Sequence, residues 1–483
     1  MNYGVPLPSP WPQTEPTPAH RAAYADAEPS SYWLDSLPGR APHEPLTGPT
    51  DADLCIIGGG YTGLWAALAA KQDDPARDVV LLEATRCGNG ASGRNGGFLE
   101  ASLTHGLANG LSRFADEIDQ LESLARENFD GLRQDLTDHG IDCEYETTGV
   151  LTVALDPREL EDLPEEVELV RRFGHDVELL DAESTRAEVN SPTYLGAVWD
   201  RTGSALVHPG RLADGLRAAA ERQGVRIHEL TPVRGIHHGS RGAGLTLITE
   251  GGVVTAPKVL MATSAYPPLV PAAGRYIAPV YDYALMTEPL SDGQQRAIGW
   301  RHRQGISDMG NQFHYYRPTA DGRILYGGYD AVYRRGGDVG PHRDTDDPTF
   351  GKLSQHFFTT FPQLEGLRFS HRWGGAIDTC SRFSVFFGRA HRGRLVYALG
   401  YTGLGVGATR FGARVALDLL DGRATQATQL KMVRRRPLPF PPEPVRSAVI
   451  QLTRNRLAAA DRNDGRRGLW LRTLDRLGLG FDS

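Results

Sequence analysis

Residues 53–83 read DLCIIGGGYTGLWAALAAKQDDPARDVVLLE. They make an apolar strand (Leu54, Cys55, Ile56, Ile57), the glycine pattern Gly58-Gly59-Gly60-Tyr61-Thr62-Gly63, a helix, and a second apolar strand (Val79, Val80, Leu81, Leu82) ending in Glu83. The strand before, the helix after and the terminal acid distinguish this from an ordinary tight turn and mark a dinucleotide site. Gly58 permits the turn, Gly60 lets backbone approach a pyrophosphate, and Gly63 lets the helix pack on the strand, while the helix N-terminus offers unpaired N–H groups to the anion. Glu83 stands about 20 residues beyond the last glycine, where a carboxylate accepts hydrogen bonds from an adenosine ribose. An acid there disfavours a 2′-phosphate, so NADP is not expected.

The next stretch separates flavin from nicotinamide. Cys87-Gly88-Asn89-Gly90-Ala91-Ser92-Gly93-Arg94-Asn95-Gly96-Gly97 follows almost at once, and so glycine-rich a run does not form a packed strand. Its N–H groups, with Ser92, Arg94 and Asn95, suit a loop passing under a pyrophosphate toward a ring system; the alternative is a flexible surface loop. A third glycine element lies far downstream, where Leu395 to Leu399 read as a buried strand followed by Gly400-Tyr401-Thr402-Gly403-Leu404-Gly405-Val406-Gly407 and a helix through Leu420. The positive end of such a helix stabilises the anion that reduced flavin carries on its pyrimidine edge. Read alone, this element is equally a second tight turn of the same sheet.

In this order the three elements resemble the FAD-dependent D-amino-acid oxidase and glycine oxidase superfamily. The run Gly90 to Gly97, the run from Tyr315-Tyr316-Arg317-Pro318 to Tyr326-Gly327-Gly328, and Arg372-Trp373-Gly374-Gly375-Ala376-Ile377-Asp378 look most like its γ-glutamylputrescine-oxidase-like branch. His208-Pro209-Gly210-Arg211-Leu212 and the following stretch to Val233 are similar to the segment whose backbone contacts adenine, and Val259 to Tyr266, with Thr263 at its turn, to the strand that returns beneath FAD. The resemblance implies an α/β fold, a Rossmann-like FAD-binding domain interleaved with an α+β substrate domain whose antiparallel sheet roofs the flavin. It implies FAD contacts at Gly58, Gly60, Tyr61, Thr62, Gly63, Glu83, Ala84, Ser92, Arg94, Asn95, Gly96, Gly97, Val233, Thr263, Gly374, Gly400, Thr402, Gly403, Leu404 and Gly405.

Composition agrees. A chain of 483 residues, 40% hydrophobic, buries a large core and divides into domains. The expected FAD-domain pieces are residues 51–101, 204–265 and 388–422, the substrate domain 102–203 and 266–387, with an N-terminal extension over 1–50 and a basic C-terminal extension over 431–483. Within the substrate domain the spacing predicts a helix over 111–139 and roof strands over 149–155, 278–287, 312–316, 323–329 and 383–388. Tyr32-Trp33-Leu34 can dock on the body. In the C-terminal extension Val445, Val449 and Leu452 mark a helix, and Leu469, Trp470, Leu471, Leu474 and Leu477 an apolar cluster among arginines. This segment either folds back along the parent domain or touches anionic lipid or a partner. A net charge of -7 argues against a general nucleic-acid binder. No stretch is long and apolar enough to span a bilayer, and the N-terminus lacks the order of a secretory signal. Cys55, Cys87, Cys143 and Cys380 are scattered without metal-site or disulfide spacing, so no metal is expected. A cytoplasmic protein is expected; the sequence does not specify its oligomeric state.

A flavin under a roof accepts hydride from a carbon next to nitrogen, and the imine formed hydrolyses, with oxygen returning the flavin to its oxidised state and yielding hydrogen peroxide. The expected substrate is an amine or amino acid, neutral at nitrogen when it reacts; a flavin-dependent monooxygenase, a dehydrogenase with another acceptor and a redox-quiet FAD-binding partner protein are the alternatives. Candidate catalytic residues are His314, Tyr315, Arg317, Trp373 and Tyr401, with Tyr283 and His371 behind them. Strand alternation puts Tyr315 and Arg317 on one face and His314 and Tyr316 on the other, so either pair faces the pocket. Arg317 is either a substrate-carboxylate fork or a clamp on loop carbonyls. Where some relatives tether FAD through a histidine, the matching residue is Arg94, so non-covalent FAD is expected, with Cys380 the other tether to consider.

Overall fold

The structure, a computed structural model, describes residues 10–239, 244–461, 465–476 and 479. At its centre lies a six-stranded sheet in the order Phe386–Ala390, Leu395–Leu399, Lys258–Met261, Leu54–Ile57, Val79–Leu82, Arg226–His228. Every neighbouring pair is parallel except the first. Leu54–Ile57, Val79–Leu82 and Leu395–Leu399 are buried at every position, which is why they read as unbroken apolar runs: both faces of the sheet are covered. Helices Tyr61–Asp73, Pro209–Arg222 and Gly405–Asp421 cover one face. A four-stranded sheet containing Leu245–Ile248 and Gly252–Ala256 covers the other.

The second layer is a nine-stranded sheet. Its pairings are antiparallel, apart from Gly305–Asp308 beside Val150–Ala154. Its long strands Ala278–Thr287 and Phe369–Thr379 pair along most of their length. One face, carrying Tyr281, Tyr283, Leu285, Ile306, Tyr316 and Tyr326, packs beneath Phe350, Phe357 and Phe361. The opposite face presents Ala284, Met286, Leu325, Trp373 and Tyr315 toward the glycine loop and Trp33.

Two expectations are corrected. The helix over 111–139 is two helices, Leu107–Phe114 and Ile118–Asp138, parted by a short turn at Ala115–Glu117. The break lets the Glu117 carboxylate accept the Lys431 N–H at 2.7 Å while Asp116 pairs with the Lys431 ammonium at 2.6 Å. The strand expected over 383–388 is Phe386–Ala390, and it closes the edge of the six-stranded sheet rather than the roof. A tight turn at His391–Gly393 returns it directly onto Leu395–Leu399, and a hairpin that short leaves no chain to cross between layers.

Both extensions lie on the body. Trp33 is fully buried, the Ser31 hydroxyl donates to the Gly93 carbonyl at 2.7 Å, and Arg40 grips the buried Glu229 carboxylate through two hydrogen bonds of 2.7 and 2.6 Å. The C-terminal helix Val445–Asp461 is held by an Arg454–Asp330 pair and by Asp461, which accepts the Asn311 and Gln312 N–H groups at 3.2 and 3.1 Å. Trp470 reaches back to the Thr453 hydroxyl at 3.0 Å. Folding back along the substrate domain is therefore the arrangement found; Leu477, of the expected apolar cluster, lies outside the described residues.

Candidate active site

The three glycine bends meet. At the first, Gly58 has φ +106° and a Cβ there would stand 2.4 Å from the Ala262 carbonyl; only glycine takes that conformation in that space. A Cβ at Gly63 would stand 1.9 Å from the Gly58 carbonyl, so the helix lies directly on the turn. The Tyr61 N–H donates to Ser92 Oγ at 2.9 Å, joining the first bend to the second. The Thr62 hydroxyl donates to the Tyr401 hydroxyl at 3.0 Å, joining the first to the third. Glu83 accepts the Gly59 N–H at 2.7 Å and the Thr85 N–H at 2.8 Å. A carboxylate has about four acceptor sites, so it can still take a ribose hydroxyl. Ala84 beside it is exposed.

The second bend is braced from within and from the roof. Asn95 Nδ2 donates to the Ala91 and Ser92 carbonyls at 3.0 and 2.9 Å while its oxygen accepts the Gly97 N–H at 2.9 Å. Arg94 pairs with Asp344 at 2.8 Å and donates to the Gly374 carbonyl at 3.1 Å, and the Trp373 indole N–H returns to the Arg94 carbonyl at 2.9 Å. Gly96 and Gly327 are glycine for one shared reason: a Cβ at either would meet the Tyr315 ring within 2.7 Å. At the third bend Gly400, Thr402 and Gly403 all have positive φ, 83°, 52° and 95°. The buried Asp378 carboxylate accepts the Gly400 N–H at 2.7 Å; burial lifts its pKa to about 6. Gly403, Leu404 and Gly405 then open the helix Gly405–Asp421.

FAD suits this cradle. Helices Tyr61–Asp73 and Gly405–Asp421 bring their first-turn N–H groups to it, and such groups have no intrahelical acceptor. The Thr263 hydroxyl, in the turn after Lys258–Met261, is buried without a hydrogen-bond partner among the described residues. A Cβ at Gly405 or Gly403 would meet nothing closer than 3.9 Å, leaving room beside the bend. Val233, partly buried, packs on the apolar cluster behind the adenine-side segment.

The candidate catalytic residues separate sharply. His314 lies on the outer face of the roof, fully buried, its Nδ1 2.7 Å from Asp308 and its Nε2 2.9 Å from His356; it does not face the flavin side. Arg317 does face it and acts as a clamp: Nη1 donates to the Val207 and Gly97 carbonyls at 2.7 and 3.4 Å, its side chain is 0% exposed, and its Nη2 is buried without a partner among the described residues. Trp373, 1% exposed, supports the Arg94 loop. Tyr401 is wedged between helices against Thr62 and Gly412. Tyr283 donates to the Arg343 carbonyl at 2.9 Å on the outer face, and His371 packs against Tyr32 of the N-terminal extension. Of the five leading candidates only Tyr315 keeps solvent access.

Three residues that sequence reasoning missed border the same region. Asp282 accepts the Tyr315 hydroxyl hydrogen bond at 2.5 Å. It stands mid-strand among Val280, Tyr281, Tyr283 and Ala284, and a lone acid in an apolar run is the signal that could have found it. Glu100 shares its strand face with Phe98, whose ring meets Tyr315 edge-on at 5.8 Å. Its side chain is exposed. His105, at φ +60°, stands against the third bend, its Cε1 3.9 Å from where a Gly403 Cβ would be. Burial first, then the Arg113 charge, lowers its pKa to about 4, so it is neutral near pH 7.

The sequence profile described as "FAD dependent oxidoreductase" matches residues 53–419. The chain belongs to this FAD-dependent oxidoreductase family. It is 36% identical over 408 residues to γ-glutamylputrescine oxidoreductase of Escherichia coli K12, covering 82% of this chain and 89% of the relative. Among solved structures it superposes on glycine oxidase from Geobacillus kaustophilus with a TM-score of 0.65 at 21% identity, over 80% of this chain and 99% of that one. L-proline dehydrogenase from P. horikoshii follows at TM-score 0.64 and 19% identity, over 80% and 96%. These likenesses establish the interleaved fold and the FAD-dependent class. No helix among the described residues is long and apolar enough to cross a membrane, and none of their His, Cys, Asp and Glu side chains group as a metal site.

Proposed function

We propose that the protein oxidises a C–N bond of an amine or amino acid, giving an imine that hydrolyses, with oxygen reduced to hydrogen peroxide. The observation that carries this reading is the 36% identity, over 82% of the chain, to γ-glutamylputrescine oxidoreductase. FAD, when bound, supplies the hydride acceptor. The chain's own residues hold and seal it. First-turn N–H groups of the helix Tyr61–Asp73 would hold the pyrophosphate, Glu83 the adenosine ribose, Thr263 a cofactor hydroxyl or phosphate, and the bend from Gly400 to Gly405 the pyrimidine edge, where a helix N-terminus favours negative charge.

Binding is read as non-covalent: Arg94 occupies the tether position and is engaged with Asp344, and the buried Cys380 thiol faces the Ser384 and Gly400 carbonyls at 3.2 and 3.4 Å. A dehydrogenase using another acceptor is the second reading, favoured by the placement of the lysines Lys71, Lys258, Lys352 and Lys431. Lys352, the one from the roof segments, stands over Tyr329 near Asp330, on the outer layer.

The test is to purify the yellow protein, follow the flavin band under argon across an amine and amino-acid library, and measure peroxide on re-admitting air. Bleaching with stoichiometric peroxide supports an oxidase. Bleaching that only a dye reverses supports the dehydrogenase, and no bleaching by any compound overturns the reading.

A further inference from the structure

The roof residue that the substrate meets can be narrowed. Asp282 lies in the middle of a sheet, flanked by Ile324–Gly328 and Phe369–Thr379 as hydrogen-bonded neighbours, yet it keeps solvent access. It shares its face with Ala284, which pairs across to Trp373 and to Gly327, whose other neighbour is Tyr315. This is the face turned to the glycine loop. Access therefore comes from the space between roof and bends. Its direct cross-strand partner, Gly375, has no side chain, and a Cβ there would stand 3.3 Å from Arg94 Cβ. One carboxylate oxygen takes the Tyr315 hydroxyl at 2.5 Å and the other the Tyr283 N–H at 2.9 Å. Among the described residues no arginine or lysine is paired with Asp282 by hydrogen bond or ion pair. Of the two arginines that touch the loop below, Arg94 is paired with Asp344 and the Gly374 carbonyl, and Arg317 donates through Nη1 to the Gly97 and Val207 carbonyls while its Nη2 is buried without a partner among the described residues.

A carboxylate held by neutral donors and partly accessible on the face turned to the glycine loop is poised for a cationic partner. We propose that Asp282, oriented by Tyr315, is the anion that receives the substrate's ammonium group and accepts its proton, making the site selective for amines that carry no carboxylate on the reacting carbon. The proton passes from nitrogen to a carboxylate oxygen, the N–H electron pair stays on nitrogen, and the amine is left neutral beside the flavin. An amino acid would instead bring its own carboxylate toward the Asp282 carboxylate, like charge against like charge. This rests on the amine-oxidation reading but can be tested without turnover.

The titratable group touching the Asp282 carboxylate is Tyr315, and Arg94, paired with Asp344, stands below its cross-strand partner Gly375. Burial raises the Asp282 pKa to about 6, so the carboxylate is charged above that pH. The experiment titrates the FAD-loaded protein with tetramethylammonium chloride, a cation that cannot lose hydride for want of a nitrogen lone pair, and with sodium acetate, reading the perturbation of the flavin absorption band. Expected is saturable binding of tetramethylammonium that tightens as pH rises through about 6, weakened at least tenfold in Asp282→Asn, and no saturable effect of acetate. Tyr315→Phe keeps the charge but removes a hydrogen bond to the ionised form, so the midpoint of the pH dependence moves upward. If Asp282→Asn does not retain flavin, the wild-type and Tyr315→Phe profiles decide. Acetate binding in place of the cation, an undiminished Asp282→Asn, or cation binding flat from pH 5 to 8 overturns the proposal, even where amines bleach the wild-type flavin. Cation binding as expected with no bleaching by any amine overturns the oxidation reading and leaves the anion's role standing.

Discussion

The Thr62 hydroxyl donates to the Tyr401 hydroxyl at 3.0 Å across 339 residues of sequence. One hydrogen bond therefore sets the spacing of the first and last bends. Tyr401→Phe keeps the ring between the helices and removes the acceptor from a buried donor, a loss of about 1 kcal/mol. Because the bond aligns two cofactor-binding elements, the loss is expected in FAD affinity, a roughly fivefold rise in dissociation constant, measured by fluorescence titration of apoprotein.

Gly60→Val should give colourless protein. A Cβ at this position would already stand 3.0 Å from Ser92 Oγ, the atom that accepts the Tyr61 N–H, and the two methyl groups beyond it extend into the space at the helix N-terminus. The check is the absorption ratio at 450 and 280 nm after purification, and full flavin retention would count against the assigned loop.

Arg317→Ala should destabilise the fold rather than alter substrate preference. The guanidinium is buried and holds two carbonyls, at Gly97 and Val207, and removing a buried charged donor from its acceptors costs about 3 kcal/mol. Thermal unfolding of the holoprotein reads this directly. A variant that melts like wild type but loses turnover of carboxylate-bearing compounds would restore the substrate-fork role.

His175 gives a pH signature. Its ring lies 3.2 Å from Glu122 and 3.8 Å from Asp200, and hydrogen bonds to Asp200 and then Glu122 raise its pKa to about 9. A folded pKa above the unfolded value near 6.5 means that the stabilisation is complete below pH 6.5 and is lost as pH rises through about 9. The melting-temperature difference between wild type and His175→Gln should therefore shrink from pH 6.5 to pH 9, and a constant difference would dissociate the pair from stability.

Arg40→Ala should release the N-terminal arm. Its partner Glu229 has a side chain 0% exposed that also accepts the His43 and Cys87 N–H groups at 2.8 and 2.7 Å, and stranding such a carboxylate costs about 3–5 kcal/mol. Limited chymotrypsin digestion should cut at Tyr32 or Trp33 faster than in wild type.

The nucleotide half was legible because its signals are local. Gly63 is dictated by the Gly58 carbonyl five residues before it, the glycine spacing marks Gly58 and Gly60 although their own neighbours are the distant Ala262 and Ser92, and the buried parallel strands announce themselves by unbroken apolar runs. The roof was less so. Strand alternation paired Tyr315 with Arg317 and His314 with Tyr316 but carries no label for which face meets the flavin; that depends on where the helix Asp347–Thr360 packs. Phe386–Ala390 has the pattern of a roof strand, and only the hairpin after it assigns its sheet. Trp33 is legible as a residue that docks on the body, but its partners, Trp373 and Leu325, lie hundreds of residues away and are not. Asp282 was passed over because one polar residue in a strand is ordinarily the solvent side of an alternation, whereas here that side is turned to the glycine loop.

The interleaving of the bends has a consequence for how the enzyme matures. Segments near residues 58, 92 and 402 must all have left the ribosome before the cradle exists, so the nascent chain cannot acquire its colour piecemeal. Contacts so distant in sequence form late in folding, and a ligand that binds only the finished arrangement stabilises all of it by mass action. Yellowness in this protein is thus a gauge of whole-chain assembly, and riboflavin supply during expression should govern the yield of folded product as well as its activity.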